Sequence, residues 1–289
     1  MKVVAAADAL APGRRAAAIG TFDGVHAGHR AVVAAAVETG LPVVVVTFDP
    51  HPRTVLGGEP VPLLCSLERR LELLAEGGIE ETLVVEFGLD VAQLGAEEFV
   101  AAVLRPLGTE VVVAGSNFRF GRGRGGDLAL LERLGFDVRP VPLAEGVSST
   151  RIRDLLRGGE VERAARLLGR PAELDGTVVA GDARGGTLGF PTANLRLEPQ
   201  LLVPEFGIYA GSAGEQRAAI SIGTNPHYGG GERRVEAFLL DFDGDLYGER
   251  LILQLWRRLR EERAFESEAA LVQQIAQDVE ETRRTEPPA

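Results

Sequence analysis

Between residues 16 and 170 the chain alternates short apolar runs with stretches of helical spacing. The runs are Ala16 to Gly20, Val43 to Phe48, Thr82 to Phe87, Glu110 to Gly115 and Phe136 to Val141. Runs of this length, apolar on both alternating faces, predict parallel strands covered by helices on each side. The helical segments between them are Gly28 to Thr39, Ser66 to Glu76 with Ser66 as N-cap, Ala96 to Arg105, and Asp127 to Leu134. Strand and helix in strict alternation predict a doubly wound α/β domain. Two further helices are expected over Thr150 to Leu156 and Val161 to Leu168. After Gly169-Arg170-Pro171 the pattern changes to period-two strands, Thr177 to Ala180, Arg217 to Ile222, Val235 to Asp241 and Leu251 to Leu255, joined by glycine-rich turns. That texture predicts an antiparallel barrel or sandwich, closed by a helix over Ser267 to Arg284 with Ser267 as N-cap. The fold class is therefore α/β plus all-β, with domains at 1–170 and 171–289.

Length agrees, since 289 residues at roughly 150 per domain make about two domains. No apolar run approaches the roughly 20 residues of a membrane span, and the N-terminus lacks the pattern of a secretory signal, so a cytoplasmic protein without a membrane partner is expected. The net charge of −11 argues against a nucleic-acid partner. Cys65 is the single cysteine, which excludes an internal disulfide and a multi-cysteine metal cluster. Lys2 is the single lysine among 31 basic residues. A phosphate site in the body of the chain must then rely on arginine, histidine, backbone amides or a metal ion. Oligomeric state is not legible.

Candidate chemistry concentrates where the first-half strands end, the edge at which parallel sheets bind ligands. Gly20-Thr21-Phe22-Asp23-Gly24-Val25-His26-Ala27-Gly28-His29 joins the first strand to the first helix. Its glycines permit close backbone approach, the helix start offers free amides, and His26 and His29 share the first turn, an arrangement suited to polyphosphate. His51 follows the second strand between Pro50 and Pro52. Gly115 to Gly126 holds Asn117, Arg119 and two phenylalanines in a glycine-rich loop. Ser149, Thr150 and Arg153 open a helix after the fifth strand, a second phosphate contact.

These four segments, in this order, resemble the adenylyltransferase module of bacterial bifunctional riboflavin kinase/FAD synthetases, and His26-Ala27-Gly28-His29 is similar to the HxGH motif of nucleotidyltransferases in general. In the second half, Gly181 to Leu195 resembles the flavokinase signature ending in Gly189-Phe190-Pro191-Thr192-Ala193-Asn194. The Thr192 hydroxyl and the Asn194 amide oxygen are hard ligands suited to Mg²⁺. Strand alternation puts Glu236 on one face with Phe238 and Leu240, an unusual place for a carboxylate without a task. The resemblance implies that Glu236 is the base that activates the riboflavin hydroxyl. It also implies His26 and His29 as catalytic, with Gly20, Phe22, Asp23, Gly28, His51, Asn117, Arg119, Ser149, Thr150, Arg153, Gly189, Thr192 and Asn194 binding nucleotide or flavin.

The implied reactions are riboflavin plus ATP to FMN at the barrel, and FMN plus a second ATP to FAD and pyrophosphate in the first domain. Ser221, His227 and Gly186 depart from the residues usual in the family and bear on flavin-pocket detail and kinase affinity. Two rivals stay open, another HxGH nucleotidyltransferase with an accessory domain and a flavin-binding regulator without catalysis.

Overall fold

The computed structural model describes residues 1–181, 188–224 and 233–288, so Gly186 and His227 lie outside the described residues. Two compact units emerge: residues 1–61 with 67–148, and residues 62–66 with 149–289. Among the described residues no helix is long and apolar enough to cross a membrane.

The first unit runs β1 (Lys2–Val4), β2 (Arg15–Ile19), α1 (Ala27–Val37), β3 (Val43–Asp49), α2 (Pro52–Gly57), α3 (Leu67–Glu76), β4 (Glu81–Glu86), α4 (Leu89–Gln93), α5 (Ala96–Phe99), β5 (Thr109–Gly115), α6 (Leu128–Arg133) and β6 (Asp137–Val141). The six strands form a wholly parallel sheet in the order β1-β4-β3-β2-β5-β6. Alternate side chains of the central strands feed separate cores. Ala17, Ile19, Val44, Val46 and Val112 pack with Phe99, Val103, Leu104 and Leu131 on one side. Ala16, Ala18, Val45, Val111 and Val113 pack with Val32, Val33, Leu73 and Leu74 on the other. Because β3 lies on one side of β2 and β5 on the other, the chain reverses its winding at β2, and that reversal opens a crevice at the carboxyl ends of the strands. The short edge strand β1 was not expected, because three residues carry too little pattern to be recognised.

The second unit contains α7 (Ser149–Arg157), α8 (Val161–Leu168), β7 (Ala172–Val179), β8 (Ala193–Leu197), β9 (Gly207–Ala213), β10 (Gln216–Thr224), β11 (Arg233–Leu239), β12 (Arg250–Arg260) and α9 (Glu268–Arg284). The strands close an antiparallel barrel in the order β10-β11-β8-β7-β12-β9. Helices α7 and α8, placed with the first domain on sequence, bury Ile152, Leu155, Val161 and Leu168 in one cluster with Leu174, Tyr209, Ile220 and Leu253 of the barrel. Residues 62–66 join the same unit. Leu63 bridges to Leu201, and Ser66, which directly precedes α3, donates its hydroxyl to Asp175 Oδ2 at 2.7 Å. Ser267 caps α9, accepting from the Ala270 amide at 3.2 Å.

Candidate active sites

In the first unit the segment between β2 and α1 is tightly wound. Gly20 N donates to Val46 O at 3.1 Å, tying the loop to β3, and Phe22, Gly24 and Val25 all take positive φ. Non-glycine residues rarely adopt that conformation, and they cluster in it where a site demands it. Phe22 and Asp23 are buried in this coil. His26 then acts as N-cap of α1, its Nδ1 accepting from the His29 amide at 3.3 Å. An imidazole nitrogen that accepts carries no proton, so the proton of neutral His26 resides on Nε2, which is a donor.

The His26 and His29 rings stack with centroids 3.6 Å apart, and Phe22 tilts against His29 at 5.2 Å. A side chain at position 28 would press on this stack, since a Cβ there lies 3.2 Å from His26 Cε1. His29 Nδ1 is buried without a hydrogen-bond partner. Burial, followed by the nearby His26, Arg70 and Arg30, holds the His29 imidazole well below its usual proton affinity. It therefore works as a neutral group near pH 7.

The end of β3 supplies the next wall. The Thr47 hydroxyl donates to Thr21 O at 3.0 Å, locking β3 to the loop after β2. His51 is buried and caps α2, Nδ1 accepting from Arg53 N at 3.1 Å. Its proton likewise lies on Nε2. One neighbour was missed on sequence. Arg70, on α3, is 1% exposed and donates through Nη1 to Thr47 Oγ1 at 3.3 Å and Phe48 O at 3.0 Å. The available signal was spacing, because Arg70 shares the buried helix face with Leu73 and Leu74 at i+3 and i+4.

After β5, Asn117 and Arg119 are exposed, with Arg119 Nη1 3.7 Å from Asp127. Phe120 is unavailable to a ligand, because it stacks on Phe118 and packs on Phe99 in the core. Paired backbone bonds between Phe120 and Gly126 close the loop, so its glycines serve packing as well as freedom. Ser149, Thr150 and Arg153 lie on α7, in the second unit. Arg153 is buried there and donates from Nε to Pro62 O at 2.6 Å.

In the second unit Gly189 to Asn194 and β11 converge on the outside of the barrel. Val235, Ala237 and Leu239 fill the interior, which leaves Arg234, Glu236 and Phe238 on the outer, half-exposed face. Glu236 shares that face with Phe238 but not with Leu240, which lies past the end of β11 and is buried, and the face looks outward rather than into the core. Asn194 of β8 and Ser221 of β10 flank Glu236 in register on either side. Thr192 donates its hydroxyl to Glu236 Oε2 at 3.4 Å, and Arg234 Nη1 stands 3.7 Å from Oε1. Phe190 meets Phe238 edge-on at 5.4 Å, and Gly189, at φ +86°, turns the chain into this contact.

Among the described residues no group of three or more His, Cys, Asp and Glu side chains is placed to hold a metal ion. The donor set instead fits a metal shared with phosphates. Thr192 has lone pairs to offer while its proton points at Glu236, and Asn194 directs its amide nitrogen to Thr192 O, leaving the amide oxygen as ligand.

Family models match both halves, the FAD synthetase model over residues 9–151 and the riboflavin kinase model over residues 168–285. The bifunctional riboflavin kinase/FMN adenylyltransferase of Listeria monocytogenes is 37% identical over 284 residues, spanning 92% of this chain and 90% of its own. That of Escherichia coli K12 is 38% identical over 279 residues, spanning 90% and 89%. A solved Streptococcus pneumoniae structure described as a macrolide-efflux protein has the same fold, with a TM-score of 0.88, 32% identity and 99% of each chain covered.

Proposed function

Since the chain belongs to the bifunctional riboflavin kinase/FMN adenylyltransferase family, and so converts riboflavin to FMN and FMN to FAD with ATP, we propose that the His26–His29 loop carries adenylyl transfer and the Thr192–Asn194–Glu236 face carries riboflavin phosphorylation. The functional domains are then residues 1–170 and 171–289, with α7 and α8 packed on the barrel. The observation that carries the assignment is the separation of chemistries. One unit has stacked imidazoles at a helix N-terminus, and the other has a carboxylate flanked by hard oxygen donors.

In adenylyl transfer a phosphate oxygen of FMN attacks the α-phosphorus of ATP and pyrophosphate leaves. Such displacements are catalysed by alignment and by stabilising charge. The start of α1 directs its backbone amides and positive end toward the phosphates, beside the imidazoles of His26 and His51. His29, held neutral, contributes a polar contact rather than a full charge. Gly20 and Gly28 let the phosphates approach the backbone, while Phe22 and Asp23 hold the loop in shape. Asn117 and Arg119 are available to flavin or nucleotide, whereas Ser149, Thr150 and Arg153, expected on sequence as a second phosphate contact, belong to the other unit, where Arg153 is buried against Pro62 O.

In the kinase step Glu236 accepts the proton of the riboflavin hydroxyl as that oxygen attacks the γ-phosphorus of ATP, with Arg234 and Thr192 holding the carboxylate in place. Gly189 leaves space for the nucleotide. Thr192 and Asn194 would hold Mg²⁺, which neutralises charge on the phosphates when bound. The enzyme works in the cytoplasm on small molecules, without a nucleic-acid or membrane partner.

A pair of variants tests the assignment. His29→Ala should lower FAD formation from FMN by about 10²–10³ while riboflavin is still phosphorylated, and Glu236→Gln should do the reverse. Equal loss of both activities in either folded variant would refute the two-site reading.

A further inference from the structure

A buried arginine is tolerated when its donors and its charge are answered. Arg15 shows the usual solution. It pairs with Glu81 through Nε at 2.6 Å and Nη2 at 3.3 Å, and donates further to Ala11 O and Leu107 O. Arg70 is more deeply buried, and its donors are only partly answered and its charge not at all. Both of its hydrogen bonds leave from Nη1 to neutral oxygens, Nε and Nη2 have no partner, and no carboxylate pairs with it among the described residues. Its neighbour His29 also has a buried nitrogen, Nδ1, without a partner. Unanswered buried groups of this kind call for an explanation, and these two sit together at the carboxyl edge of the sheet.

Their connections are specific. Arg70 holds Thr47 Oγ1 and Phe48 O at the end of β3, and Thr47 in turn holds Thr21 O in the loop that leads to His26. One guanidinium thus ties the two strand ends that frame the site. Its nitrogens are closed to solvent, so substrate does not touch Nε or Nη2 directly and the charge acts through the intervening groups, in surroundings of low dielectric where it is weakly screened.

We propose that Arg70 is a positioning residue of the adenylyl-transfer site, which fixes the ends of β2 and β3 to each other through Thr47 and keeps an unbalanced positive charge behind His29 for the polyphosphate of ATP. The polyanion supplies the countercharge that the fold withholds. This rests on the placement of ATP at the His26–His29 loop.

The test compares Arg70→Met, which removes the charge, with Arg70→Lys, which keeps it, in the full-length enzyme. FMN adenylylation is resolved into kcat and KM for ATP, binding of inorganic tripolyphosphate is measured by calorimetry, and riboflavin phosphorylation in the same sample is the reference. Arg70→Met should lower kcat/KM for ATP by about 100-fold and weaken tripolyphosphate at least about tenfold, with Arg70→Lys recovering most of both. Adenylylation by Arg70→Met within about threefold of the parent, or Arg70→Lys as impaired as Arg70→Met, overturns the proposal. Should Arg70→Met fail to fold, the lysine variant decides: parental tripolyphosphate affinity supports the role of charge, and a loss of about tenfold or more overturns it. His29→Ala separates the two readings. Full adenylylation in that variant defeats the placement of ATP, whereas an inactive His29→Ala beside an active Arg70→Met defeats this inference alone.

Discussion

A methyl group at Gly181 should disable the kinase while leaving the fold nearly untouched. A Cβ built at that position stands 2.6 Å from Asn194 Oδ1, and closer still to Nδ2 and Cγ. Non-bonded atoms settle at about 3.5 Å or more, so the Asn194 amide must retreat by about 1 Å. The obstacle is the far end of a half-exposed side chain rather than backbone, so the amide can swing aside. An off-rotamer side chain costs about 0.5–1.5 kcal/mol, which bounds the stability loss. Function is less forgiving, because displacement of a group by about 1 Å costs about 10² in rate, or about 2.7 kcal/mol of barrier.

Gly181→Ala should therefore phosphorylate riboflavin about 100-fold more slowly, need more Mg²⁺ for half-maximal rate, and adenylylate supplied FMN normally. The assay is chromatography of FMN and FAD from parallel incubations with riboflavin or FMN, over a Mg²⁺ series, beside a melting curve. Kinase activity within about threefold of the parent at every Mg²⁺ concentration would show that the Asn194 amide has no part in the reaction.

Gly28→Ala puts a methyl 3.2 Å from the His26 ring, which its cap to His29 N holds in place, so loss of that cap should destabilise the first unit by about 1 kcal/mol and slow FAD formation alone. The depressed proton affinity of His29 predicts acid sensitivity. Below about pH 6.5 the unfolded chain binds a proton that the folded site refuses, so stability falls with acidification down to the folded value, at up to about 1.4 kcal/mol per pH unit. Denaturant melts of the parent and His29→Gln between pH 7.5 and 5 should show that slope only in the parent. Asp278→Ala strands Arg260, which Asp278 now grips through both carboxylate oxygens, Nη2 to Oδ2 at 2.7 Å. A loss of about 3–5 kcal/mol is expected, and an unchanged melting transition would place α9 outside the cooperative fold of the barrel.

What the sequence determined by itself was local. The apolar runs of the first unit declared buried parallel strands, because a strand covered on both faces needs no polar alternation. Ser267 was legible as a cap, and His26-Ala27-Gly28-His29 and Gly189 to Asn194 stood out as candidate sites, because a cap, a helix-start anion site and a metal-binding turn each need particular residues within a few positions. What only the tertiary structure decided was which distant segments meet. Strands β8 and β9 were unmarked, since their stability comes from barrel partners and not from their own pattern. Helices α7 and α8 gave helical spacing but no sign that their apolar faces belong with the barrel. Alternation paired Glu236 with Phe238 correctly but says only that two faces differ, and closure of the barrel settled which one looks outward. Arg70 is the sharpest case, because its surroundings of Thr47, Phe48 and His29 come from residues more than 20 positions away, and burial of a charge is a property of those contacts rather than of the residue.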